Sequence, residues 1–231
     1  MNARSLFRLA SSLCFVVPCA IAAMPAEAVA CGESISFEVD AKVMLLSQAE
    51  SSLGAGKARA AAISVLNAFP KLRTATAGDA MLARAQRIAA LAVVRTEGLL
   101  SVGEVFQAST AEQRRGNLEW AASTLRRLNE EKKNTPALQT ELGEALSKLP
   151  ETRGEALALL DKLAKKDLVT SAYGWAALAK LRKESGDLDG HEAAMKRYAA
   201  LSKPAKGAPS KVAPAAAPRP SLPIPAGILR T

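Results

Sequence analysis

The sequence predicts an all-α protein, an array of antiparallel helical hairpins followed by a disordered tail, and three observations lead there. From residue 40 to about residue 202 apolar side chains recur at three- and four-residue spacing, which places them along one side of a helix. Turn-forming residues interrupt that pattern every twelve to twenty positions, and no segment alternates as a strand would. Composition agrees. Hydrophobic residues make up 49% of the chain but aromatics only 4%, so alanine and leucine supply much of the apolar content, and small side chains let helix backbones approach closely.

The elements follow in order. Asp40 is suited to cap a first helix through Val43, Leu46, Ala49 and Leu53, which Gly54 and Gly56 end. A second helix spans 57–69 and stops at Pro70. Asp79 caps a third, running through Leu82, Ala85, Ile88, Ala89, Ala92 and Val93 to Gly98. Residues 99–115 are the least regular part of the body, with Thr110 and Gln113 spaced for a capping box. Helices are then expected over 117–132, 135–149, 153–165, 171–184 and 188–201, and the short connections make neighbours antiparallel.

The two ends differ from the body. Arg4 and Arg8 precede an uncharged apolar run over 9–24, and the small-residue sites Ala26-Glu27-Ala28 and Ala28-Val29-Ala30 follow, so residues 1–30 read as a secretory signal peptide. Cys14 and Cys19 would leave with it, making Cys31 the one cysteine of the mature chain, unable to form an internal disulfide. Ala28-Val29-Ala30-Cys31 resembles a bacterial lipobox, with Ala28 where that pattern usually has leucine. The resemblance implies lipidation of Cys31 and attachment to a membrane without a spanning helix. Cleavage to a soluble periplasmic protein and retention as an uncleaved anchor are the other outcomes. At the far end, 202–231 holds seven of the twelve prolines among alanine and lysine, a composition that builds no core. The domain reading is therefore a signal over 1–30, a helical domain over 31–201 and a Pro/Ala/Lys-rich disordered tail over 202–231.

Charge is distributed unevenly. Residues 1–30 carry a net +1 and the tail a net +5, leaving +3 of the total +9 for the body. A nearly balanced body with few aromatics argues against a nucleic-acid surface.

Within the body, Gly116-Asn117-Leu118-Glu119-Trp120-Ala121 resembles the turn between the two helices of a tetratricopeptide repeat, with glycine and asparagine making the bend. Trp175, Leu178, Ala179, Gly186, Asp187 and Leu188 are similar to the first helix and turn of another repeat, and Leu142-Gly143 with Ala156, Leu160 and Leu163 to a third. Ala121 to Ala156 is 35 residues and Ala156 to Gly190 is 34, near the family's period. His191 stands where alanine is usual, and residues 40–98 fit the period loosely. A generic array of α-hairpins is the other architecture that fits.

The resemblance implies partner binding on a concave surface lined by the first helix of each pair. Its inward-facing positions would be Arg84, Arg87, Thr140, Glu144, Lys148, Tyr173, Lys180 and Lys183, of which five are basic. They suit an acidic segment or a chain-terminal carboxylate, or are simply solvated charges on helix faces. No enzyme constellation accompanies them. His191 is the only histidine, without partners for a zinc site or a catalytic triad, and a surface position or packing within a hairpin is its expected use. Gly54-Ala55-Gly56-Lys57 fails as a phosphate loop because Ser51 replaces the first glycine and Ala58 the hydroxyl residue. Trp120 and Trp175 fall in apolar patterns and are expected in the core.

The reading for function is a non-catalytic protein-interaction scaffold or adaptor of a bacterial cell envelope, with another envelope protein or peptide as partner and no metal, cofactor or nucleic acid. A peptide- or glycan-binding accessory subunit of an envelope complex is the alternative.

Overall fold

The computed structural model describes residues 33–75 and 78–202. The expected signal over 1–30, Cys31 and the tail beyond Ser202 lie outside the described residues. Within them the protein is all-α: α1 (Glu33–Gly54), α2 (Ala58–Ala68), α3 (Ala80–Arg95), α4 (Ala111–Glu131), α5 (Pro136–Leu146), α6 (Arg153–Ala164), α7 (Ala172–Glu184) and α8 (Leu188–Ser202). A 3₁₀ turn, Pro150–Thr152, leads into α6. No strand occurs among the described residues, only an isolated antiparallel bridge between Val102 and Phe106. The chain divides between Asp40 and Ala41 into two units, and the packing described here belongs to the second.

Local chemistry sets the helix ends. The Asp79 carboxylate accepts from Met81 N at α3, and Ser171 Oγ accepts from Gly174 N at α7. At α4, Thr110 Oγ1 accepts from Gln113 N at 3.2 Å while Gln113 Oε1 accepts from Thr110 N at 3.2 Å, the reciprocal capping box expected from that pair. At the end of α1, Lys57 N donates to Ser52 O at 2.8 Å, the six-to-one bond that closes a helix by a left-handed residue.

Two sequence expectations are corrected. Helix α1 begins at Glu33 and runs through Asp40, so the helix does not start at that aspartate. More consequential, Gly116 and Asn117 make no bend: both lie inside α4, which runs unbroken from Ala111 to Glu131. The capping box has already started the helix, and the roughly 1 kcal/mol that an interior glycine costs is offset by burial of Leu118, Ala121, Ala122, Leu125 and Leu128 on the same helix.

Helix α3 is the centre of the fold. Ile88, Ala89, Ala90, Leu91, Ala92, Val93 and Val94 are consecutive and all buried, so apolar contacts surround the helix instead of following one stripe. It packs on α2 and α4; α4 packs on α5, α5 on α6, α6 on α7 and α7 on α8, while α5 also touches both α3 and α7. Helices α7 and α8 are antiparallel, because His191 lies beside Ala179 near the turn and Arg197 lies over the Trp175 ring farther along.

Close approach is built on small residues. A Cβ on Gly143 would stand 2.6 Å from Leu160 Cγ and 2.7 Å from Cδ2, and Leu160 is fully buried and has nowhere to move. Gly143→Ala is expected to lower unfolding stability by about 2 kcal/mol despite alanine's better helix propensity, because overpacking outweighs it. Urea denaturation measures this, and an unshifted midpoint contradicts the tight α5/α6 contact.

Between α3 and α4 the irregular stretch is a pinned loop. Phe106 is fully buried and meets Trp120 edge-on at 5.1 Å, with the Arg73 guanidinium 5.4 Å from the Phe106 ring. Gly98 starts it with φ +76, and a Cβ there would also sit 2.5 Å from the Arg114 carbonyl oxygen. Only glycine satisfies both conditions.

Candidate functional site

The eight residues expected to face a groove come from α3, α5 and α7 and the turn after α5, and the fold brings these alternate helices together. Arg84 Nε and Nη2 donate to the Glu50 carboxylate of α1 at 2.7 and 2.6 Å, and this pairing holds Glu50 below the usual carboxylate range. Arg87 makes the same bidentate contact with Glu141 of α5 at 2.7 and 2.5 Å. The Lys148 ammonium is 3.0 Å from Glu97, whose carboxyl is lowered chiefly by that hydrogen bond. Three of the five basic residues are thus neutralised within the molecule. Lys180 reaches Glu184 only at 4.0 Å, and Lys183 is exposed without an ion pair among the described residues.

Two of the expected groove residues are instead core. Thr140 is fully buried; its hydroxyl donates to Pro136 O at 2.8 Å and accepts from Thr170 N at 3.2 Å, tying α5 to the segment that enters α7. It touches no open surface because Gly174 packs directly on its methyl group. Glu144 is 2% exposed. Its Oε1 lies 3.4 Å from Arg95 Nε, and its Oε2 has no hydrogen-bond partner among the described residues. Burial pushes this carboxyl up to about 7, against the lowering influence of Arg95. The ionisable groups acting on it are Arg95 of α3, Glu141 of its own helix and Lys148 just beyond that helix. From α7, Tyr173 lies against Arg95, with the guanidinium carbon 4.0 Å from the ring centroid.

Sequence alone does not single out Arg95, yet it joins all three helices. It sits at the last turn of α3, touches Glu144 of α5 and Tyr173 of α7, and points Nη1 toward Leu53 O of α1 at 3.4 Å. The available signal is a cation following the apolar run 91–94. Beside it lies a hollow of about 430 Å³ formed by Gly56, Lys57, Arg59, Arg95, Thr96 and Tyr173 with two alanines. A second, of about 460 Å³, shares Arg59, Arg95 and Thr96. Elsewhere, Arg84, Arg87, Leu128, Lys132 and Leu138 border a smaller hollow of about 280 Å³.

Trp175 is buried, and Trp120 is half-buried against the core. His191 packs in the α7/α8 hairpin, Nδ1 2.9 Å from Ala179 O. No group of three His, Cys, Asp or Glu suited to a metal ion occurs among the described residues, and no described helix is long and apolar enough to cross a membrane.

Fold and site together define an all-α protein in which α3, α5 and α7 meet around Arg95, Glu144 and Tyr173. Compared with known proteins, the chain matches no family model, no curated protein and no solved structure.

Proposed function

We propose that this chain is a non-catalytic interaction scaffold of a bacterial cell envelope, an array of tetratricopeptide-like antiparallel hairpins that holds another envelope protein or peptide on its α3, α5 and α7 face. The observation that carries the reading is the meeting of these three alternate helices around Arg87, Arg95, Glu141, Glu144 and Tyr173. From α2 onward each helix packs on the next, the succession a hairpin array requires. The envelope address comes from the signal pattern over 1–30, and attachment through a lipidated Cys31 from the lipobox resemblance. Internal ion pairs make the face rigid rather than strongly basic, which suits recognition by shape with a few free cations at the rim.

A photo-crosslinking residue in place of Lys180, and separately of Lys196 on exposed α8, tests this in intact envelopes. The expected result is one discrete protein adduct from position 180, absent from 196 and lost when Lys183→Glu is added. Equal adducts from both positions, or none, overturn the reading.

A further inference from the structure

The hollow beside Arg95 has the chemistry of a site for an anion. A guanidinium carries five N–H donors and pairs best with a carboxylate in a two-pronged contact near 2.8 Å. Arg84 and Arg87 each have such a contact, but Arg95 does not. Its side chain is only 12% exposed, so water satisfies little of it, and its polar contacts among the described residues, to Glu144 and Leu53 O, are both 3.4 Å. At the mouth, Lys57 and Arg59 make no ion pair among the described residues, and Lys57 and Arg59 are both exposed. No acid lines this hollow among the described residues; its remaining walls are the Tyr173 ring, Thr96 and small residues of α2, which leave room for a short methylene stem.

We propose that this hollow receives an aspartate or glutamate side chain from an acidic segment of the protein that the scaffold holds, with Arg95, Arg59 and Lys57 as its counter-ions. The proposal rests on the scaffold reading and names the chemistry of the partner. Charge complementarity selects the occupant: three cations converge on a hollow that no acid lines, while the face beyond is already neutralised by Glu50, Glu97 and Glu141.

Binding there is linked to protons through Glu144. An incoming carboxylate competes for the same guanidinium, so Glu144 loses part of its counter-ion and gains a like charge nearby. Its affinity for a proton then rises from a carboxyl already near 7, with Glu141 adding repulsion and Lys148 held by Glu97. Proton uptake on binding follows. For an upward displacement of about one unit, affinity rises roughly fivefold between pH 8 and pH 6.

The experiment is calorimetric titration of the mature protein with a blocked hexapeptide of alternating alanine and glutamate, at pH 6 and pH 8, in two buffers that differ in ionisation enthalpy. Expected are binding that tightens several-fold at pH 6 with proton uptake, at least tenfold loss in the exposed-site variant Lys57→Ala with Arg59→Ala, and no binding of the glutamine counterpart. Unchanged affinity in that double variant, equal binding of the glutamine peptide, or inorganic phosphate displacing the peptide at comparable concentration each overturns the proposal. Failure here with the position-180 crosslink intact removes the hollow and leaves the scaffold. Peptide binding without any crosslink does the reverse.

Discussion

Asn117→Leu is expected to lower the unfolding free energy by about 3 to 4 kcal/mol, although the two side chains share one branched heavy-atom skeleton. Asn117 is 1% exposed, and its hydrogen bonds hold together segments that have no backbone ladder in common. Its amide donates to Gly98 O at 3.2 Å and to Gln107 O at 2.8 Å, while its oxygen accepts from Arg73 Nη1 at 2.9 Å. Leucine would leave the buried Gly98 carbonyl and part of a guanidinium unpaired, each costing about 1 to 3 kcal/mol, and its bulkier methyl groups would crowd the site, while the carbonyl of exposed Gln107 can turn to water. Arg73 keeps its bond to Val105 O at 2.8 Å and its place over Phe106, which is why the sum stays at the lower end. Urea denaturation followed by tryptophan fluorescence measures the change. The loop 99–109 should loosen as well, with faster hydrogen exchange at Val102 N, now bonded to Phe106 O at 3.0 Å. A loss below about 1 kcal/mol means that the loop is held chiefly by Phe106 and not by Asn117.

The same residue shows where sequence reading succeeds and where it stops. Caps are local chemistry over three or four residues, so Asp79 and the pair Thr110 with Gln113 are legible; Asp79 starts α3 as expected, whereas α4 begins at Ala111, ahead of the expected 117. Glycine followed by asparagine is also a local signal, for a turn, and here it misleads because α4 is already under way and its buried side continues through Leu118 and Ala121. The tertiary term wins: Asn117 points at the Gly98 loop, which no periodicity forecasts. With that bend gone, the close approach of α5 to α6 at Gly143 and Leu160, and the turn from α7 to α8 at Gly186 with φ +85, are what remains of the local turn and small-residue signals.

For the candidate site, spacing identifies the helices but not the depth of each residue. Thr140 and Glu144 are four apart and so share a face with Lys148, yet the first two are buried and the third is partly open, because α3 and α7 close over the middle of α5. Glu141, three residues before Glu144 on that helix, is the partner of Arg87 from 54 residues away. Pairings of that range depend on how helices are set against each other, and no single-helix pattern encodes them.

Glu144→Gln is expected to remove a pH dependence from the protein's stability. The folded carboxyl is raised from 4.5 to about 7 by burial, so between those values the folded state holds a proton that the unfolded chain releases. Wild-type stability is therefore fully retained below about pH 4.5, falls as pH rises toward 7, and carries the whole cost of ionising a buried carboxyl above that, on the order of 3 kcal/mol at most. Glutamine cannot ionise and leaves its amide no worse placed than Oε2, which is already without a partner among the described residues. Relative to wild type, the variant should gain about 2 to 3 kcal/mol on going from pH 5 to pH 8, whatever its absolute offset at pH 5. Paired urea melts at the two pH values read this difference directly. A difference that does not change with pH would mean that Glu144 ionises at its ordinary value, and the proton linkage argued for the Arg95 hollow would fall with it, while the carboxylate contact to Arg95, Arg59 and Lys57 would be left to the peptide titration.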